Sequence, residues 1–214
     1  MNIQTKQIIL KDSLSEPVKM FLSISLNGFG NELNFVANQM YNYPDAKKGI
    51  DNKESINDVF ALIERSYVGL FNNAIIRGFP NSATLQEFSV YNKNKSSGRA
   101  DLLVTHALAN NEFINLLFEA KVGVATVNDY SADYRKIYYE KLYNQAYKYF
   151  LVEKEFYTGE SYIITISFDW IRHDYILTEI LKDRFIDTVS DFFFVYYTNE
   201  AGLSVYGNLS GPVH

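Results

Sequence analysis

The chain has no cysteine, three histidines, one tryptophan and four prolines in 214 residues. Without thiols there are no disulfides, thiolate zinc sites, iron–sulfur clusters or cysteine nucleophile. The histidines show no His-x-x-His spacing, so His106 carries no metal role. No apolar run reaches the roughly 20 residues that a membrane-spanning helix needs. Gln4, Lys6 and Gln7 interrupt the first apolar positions, against a secretory leader, so a cytoplasmic protein with no membrane partner is expected. Excess positive charge is missing too. The formal net charge is −5, not the footprint of a protein that coats nucleic acid.

Hydrophobic residues are plentiful at 47 %, with 17 tyrosines and 16 phenylalanines, enough for a well-packed domain with appended parts. Residues 16–40 show helical spacing, with Gly28 and Gly30 expected to break the segment in two. Tyr43-Pro44-Asp45 is a turn signal and 47–53 a polar loop. Ser55, with Asp58 three residues on, makes an N-cap for a helix to about Ile76, ahead of Gly78 and Pro80. Residues 84–91 read as a strand and 92–98 as a polar loop. Residues 102–104 and 113–118 read as the arms of an antiparallel hairpin around Ala109-Asn110-Asn111-Glu112.

A long helix should follow over about 131–153, then a buried strand over 162–168, with Asp169-Trp170 as a turn. Past it, 175–185 reads as a helix, and 192–197 and 203–209 as a hairpin. That hairpin either extends the sheet, packs beside it or forms a homodimer surface. On the long helix, Tyr134, Tyr138, Leu142, Gln145 and Tyr149 share one face, and Tyr139, Tyr143, Tyr147 and Phe150 a neighbouring stripe. One stripe is core packing against the sheet.

The hairpin places charged residues at suggestive positions. Asp101 opens its first arm, and Glu119 and Lys121 close its second, pointing to one face because strand side chains alternate. Pairing the arms brings Asp101 near Glu119. Two carboxylates held a few ångströms apart repel each other, and a divalent cation that prefers oxygen ligands relieves the repulsion.

Gly98-Arg99-Ala100-Asp101, then a hydrophobic strand, then Glu119-Ala120-Lys121 resembles the PD-(D/E)XK nuclease superfamily, with Ala100 where the proline of that name stands. Gln145-Ala146-Tyr147-Lys148-Tyr149 is similar to the Q-x-x-x-Y helix of its RecB-like branch. The resemblance implies an α/β, restriction-endonuclease-like core. Its mixed sheet is flanked by helices in the order α-β-β-β-α-β over residues 55–172; the ends, read as an N-terminal helical extension over 1–54 and a C-terminal helix and hairpin over 173–214, are not explained by the resemblance.

It also implies a Mg²⁺- or Mn²⁺-dependent nuclease, acting on DNA as the first expectation. Asp101, Glu119 and the Ala120 carbonyl would hold the metal, and Lys121 would orient or activate the attacking water. Glu64 on the preceding helix, or Glu87 on the first strand, would supply a further carboxylate. Gln145 and Tyr149 would contact a phosphate or orient Lys121. Lys93, Lys95, Arg99, Arg135, Lys136, Lys141 and Lys148 offer a local cationic rim for nucleic acid on an acidic chain. The alternative is an inactive module of the same fold that binds nucleic acid or a partner protein.

Overall fold

The structure is a computed structural model that describes residues 3–42, 64–92, 95–108, 112–125, 132–153, 157–172, 190–198 and 201–213. Among the described residues, three helices and seven strands follow one another. They are β1 (Ile3–Leu10), α1 (Glu16–Asn42), α2 (Glu64–Gly78), β2 (Ser82–Asn92), β3 (Lys95–Ala107), β4 (Phe113–Ala125), α3 (Ala132–Glu153), β5 (Glu160–Arg172), β6 (Phe192–Thr198) and β7 (Ala201–Val213). The strands form one mixed sheet in the order β1-β6-β7-β5-β4-β3-β2. Only the β4–β5 pair is parallel, and α3 is the crossover between those two strands. The chain is thus of the α/β class, and its middle elements run α2-β2-β3-β4-α3-β5.

Alternation along the strands gives the sheet two apolar faces. Leu102, Val104, Leu116, Phe118, Ile164, Ile166 and Phe168 join the larger core, under Phe21, Leu22, Leu26 and Phe29 of α1 and Tyr67, Phe71 and Ile75 of α2. Leu103, Leu117 and Ile163, one residue out of step, join a smaller core with Ala146, Tyr149 and Phe150 of α3. Two helices therefore cover one face and one helix the other.

Phe168 is fully buried, with its ring 5.1 Å from Tyr67 in a stacked arrangement and 5.5 Å from Phe29. Phe168→Ala is expected to cost about 3–5 kcal/mol of stability. Urea denaturation measures it, and a loss below 1 kcal/mol would mean that this aromatic cluster does not anchor the fold.

The structure corrects the sequence reading in five places. Residues 3–10, inside the stretch read as a helical extension, form an edge strand that pairs antiparallel with β6. The expected helix break at Gly28 and Gly30 does not occur, since α1 runs unbroken from Glu16 to Asn42. Gly28 instead faces Ala74 of α2, where an added Cβ would lie 3.0 Å from the Ala74 Cβ, so the missing side chain sets a close helix–helix approach. The loop expected over 92–98 is largely strand, because β3 begins at Lys95. The second hairpin arm, read over 113–118, continues as strand β4 to Ala125. Asp169 and Trp170 are strand residues of β5, with Asp169 buried and accepting a hydrogen bond from the Ser167 hydroxyl.

The C-terminal hairpin extends the sheet, for β7 pairs with both β5 and β6. The Ser55 N-cap, the 43–53 turn and loop, the boundaries at 54/55 and 172/173 and the 175–185 helix lie outside the described residues.

Candidate active site

The β3–β4 hairpin splits, and the split makes the site. Cross-strand pairing runs from Ala107↔Phe113 to Leu102↔Phe118 and stops. Beyond that point β3 stays with β2 through Phe88↔Ala100, while β4 stays with β5 through Glu119↔Thr165 and onward to Ala125↔Ile171. A sheet that forks leaves backbone groups without ladder partners, and these must be satisfied some other way. Asp101 does so at the vertex: its Oδ2 accepts the Ala120 N–H at 2.7 Å. In a strand the N–H and C=O of one residue face the same neighbour, so the Ala120 carbonyl is turned toward the fork with its N–H.

Glu119 stands opposite Asp101, one step beyond the last pair, and is 1 % exposed. It alternates with Phe118 and Ala120, so it lies on the α3 side of the sheet. There Gln145 of α3 donates a hydrogen bond from Nε2 to its Oε1. Its other oxygen, Oε2, is buried with no hydrogen-bond partner among the described residues. An unpaired buried carboxylate oxygen is costly, and its presence at a strand fork marks a place built for something else.

Burial, with Asp101 and Glu64 adding negative charge and Lys121 opposing, pushes the Glu119 carboxyl up to about 8. Burial also raises Asp101, against the Ala120 hydrogen bond, with Glu64 adding to the rise. Lys121 donates from Nζ to Glu64 Oε2 at 3.1 Å. Burial disfavours its charge, but the Glu64 hydrogen bond, with Asp101 and Glu119 assisting, holds it above its ordinary value. The ammonium is therefore protonated throughout the neutral range. Carboxylates raised in this way with a lysine beside them make the fork a candidate functional site.

The helix residues divide their tasks. Gln145 reaches Glu119, whereas the Tyr149 ring is buried against the backbone of β3 at Gly98. A Cβ on Gly98 would stand 2.3 Å from the Tyr149 hydroxyl, and Gly98 holds φ +139, so this glycine is required twice over. Tyr149 is thus the contact that docks α3 on the strand carrying Asp101. Gly98→Ala is expected to lower stability by about 1–3 kcal/mol. A thermal midpoint within a degree of the parent's would contradict that docking.

The two candidate third carboxylates part company. Glu64, the first residue of α2, is held by Lys121. Glu87 is held by Arg65 and by Arg99, the latter at 3.5 Å. Among the described residues no three of His, Cys, Asp and Glu close into a ready-made metal cage. His106 bonds the Ser82 hydroxyl at 2.9 Å between Phe21 and Phe79, away from the acids, and burial lowers its basicity. Of the expected basic rim, Arg99, Lys141 and Lys148 are exposed. Sequence reading missed Arg65 as a partner of Glu87, since 21 intervening residues separate them and only the packing of α2 on the sheet joins them. It also missed the Asp101–Ala120 bond, which follows from the fork.

Compared with known proteins, the chain matches no family model, no curated protein and no solved structure.

Proposed function

We propose that the chain is a metal-dependent nuclease with a restriction-endonuclease-like core, hydrolysing phosphodiester bonds of DNA. The observation that carries this reading is the fork: it sets Asp101 and Glu119 opposite each other with a buried oxygen unpaired and Lys121 on the same strand two residues on. The donor set suits a hard divalent cation. Asp101, Glu119 and the Ala120 carbonyl offer oxygen only, burial raises both carboxylates with Asp101 adding to the rise at Glu119, and Glu119 Oε2 awaits a partner. These residues would hold Mg²⁺ or Mn²⁺, while Glu64 is the partner of Lys121. When bound, such an ion lowers the pKa of a water and offsets charge on the phosphate.

The chain's own groups supply the rest. Gln145 fixes the orientation of the Glu119 carboxylate. Lys121 is a protonated donor that can pass from Glu64 to a phosphate oxygen, where it stabilises the negative charge of the five-coordinate phosphorus. Water oxygen bonds to phosphorus, the ester P–O bond breaks, and the leaving oxygen takes up a proton. Incubation with linear, circular and single-stranded DNA, in Mg²⁺ or Mn²⁺ and with a chelator control, tests this. Cleavage that the chelator stops is the expected result, and intact substrates in every lane would remove the reading.

A second reading has two observations in its favour: Lys121 is already paired with Glu64, and no closed acidic cage is present among the described residues. It makes the chain a non-cutting module of the same fold that binds nucleic acid or a partner protein. Retention of DNA on a gel without any cleavage in the same incubations is what it predicts.

A further inference from the structure

Beside the acids lies a second charged group that the proposed chemistry leaves unused. Glu87 of β2 sits across from Asp101, between the pairs Gln86↔Leu102 and Phe88↔Ala100. It has φ +46, the one non-glycine residue with positive φ among those described. A glutamate gains nothing locally from that conformation, which costs on the order of 1 kcal/mol, so surrounding contacts impose it. The carboxylate so placed meets two arginines, each on a different oxygen: Arg65 through Nε on Oε1, and Arg99 through a terminal nitrogen on Oε2.

Both guanidiniums are more than half exposed, at 59 % and 51 % of their side chains, while Glu87 is 29 % exposed. Each arginine is also anchored to the site by the chain itself. Arg65 follows Glu64 on α2, and Arg99 stands two residues before Asp101 on β3. The charge of Glu87 is felt at Asp101, which places the whole group on that flank of the fork.

We infer that Arg65 and Arg99 grip the sugar–phosphate backbone of a nucleic acid beside the scissile bond, and that Glu87 is a positioning residue that brackets them. Two guanidiniums on one carboxylate keep a net positive charge. A guanidinium carries five N–H donors and both of these are more than half exposed, so donors remain to meet phosphate oxygens in the forked geometry guanidinium favours. On a chain of net charge −5, a cationic clamp at the mouth of the site directs the backbone there. The inference rests on the nuclease reading for its location, and on phosphate chemistry for its content.

The test compares Arg65→Gln, Arg99→Gln, the double variant, the double lysine variant and Glu87→Gly. Because both arginines are largely exposed, the glutamine variants should keep the parent's melting temperature within about 2 °C. Each is expected to raise KM for a DNA substrate about tenfold or more with kcat within about twofold. Each should also shallow the dependence of log(kcat/KM) on log[KCl] by about one unit. The double lysine variant restores the salt slope but only part of the KM, since ammonium lacks the fork. Glu87→Gly relieves the strained backbone, so it should melt no lower than the parent and still raise KM.

Unchanged KM and slope in the double glutamine variant would overturn the clamp, as would a lower melting temperature with no change in either. An unchanged KM in Glu87→Gly would overturn the bracket. Where the parent cuts nothing, the same slopes are read from direct binding of a labelled oligonucleotide in chelator, so failure of the nuclease reading and failure of the clamp are told apart.

Discussion

Replacing Lys121 by methionine is expected to lower DNA cleavage by about 10²–10³-fold while the protein stays folded, the size typical of removing one preorganised stabiliser of transition-state charge. Methionine keeps the apolar stem of the lysine, which is only 36 % exposed, and removes the ammonium. Glu64 then loses its 3.1 Å partner, and the charge that opposes Asp101 and Glu119 is gone. The carboxylates should therefore bind a proton more readily still, yet the oxygen donors for a metal remain. Single-turnover cleavage, with circular dichroism as the control for folding, reads this out. Cleavage at the parent's rate would show that Lys121 belongs to a structural ion pair and not to the chemistry.

Glu119→Gln should have opposite effects on stability and on function. The ordinary carboxyl value is 4.5, and burial raises it in the folded chain to about 8. Between those values the folded state holds a proton that the unfolded state has released, so unfolding becomes easier as pH rises. The stability is fully present below pH 4.5 and is lost as pH climbs through about 8. A gap of this size corresponds to a few kcal/mol, or on the order of several degrees in melting temperature for a chain this long.

Glutamine has the shape of the protonated acid and can still meet Gln145. The variant should thus melt several degrees above the parent at pH 9 without metal, melt close to it at pH 4.5, and show no stabilisation by Mn²⁺. The parent should gain from Mn²⁺ most at high pH, where its carboxylates are ionised. Parallel melting curves for the two proteins across that range would mean that Glu119 carries no buried charge.

The parts legible in sequence are those whose signal is local. The β3–β4 hairpin announces itself by two short apolar runs around a polar turn, and the register it forces sets Asp101 opposite Glu119. The α3 helix is legible from tyrosines and leucines at three- and four-residue steps, and its bounds in sequence and structure agree to within a residue. The β1 strand is not, because Lys6 and Gln7 break its apolar pattern, and its place is fixed by pairing with β6 near the other end of the chain.

Gly28 misleads for a related reason. As a local signal glycine breaks helices, but here α1 tolerates it because α2 packs against the bare backbone at Ala74. In the site the same division holds. Asp101, Glu119 and Lys121 follow from strand alternation, whereas the choice of partners for Glu64 and Glu87 depends on how the first turn of α2 meets the sheet. No spacing in the sequence encodes that meeting. Gln145 and Tyr149 were legible as a pair on one helix face, but only packing separates the one that touches Glu119 from the one that seats the helix on Gly98.

On the proposed function, the fork between β3 and β4 is a divalent-cation site built on Asp101 and Glu119. Titration of the purified chain with Mn²⁺ in a calorimeter at pH 8 tests it most directly, with Asp101→Asn and Glu119→Gln beside the parent. Saturable binding by the parent is expected, accompanied by proton release as the Glu119 carboxyl, raised to about 8, ionises, with loss of that binding in both variants. Mn²⁺ binding that survives in both variants, or none in the parent, would contradict it.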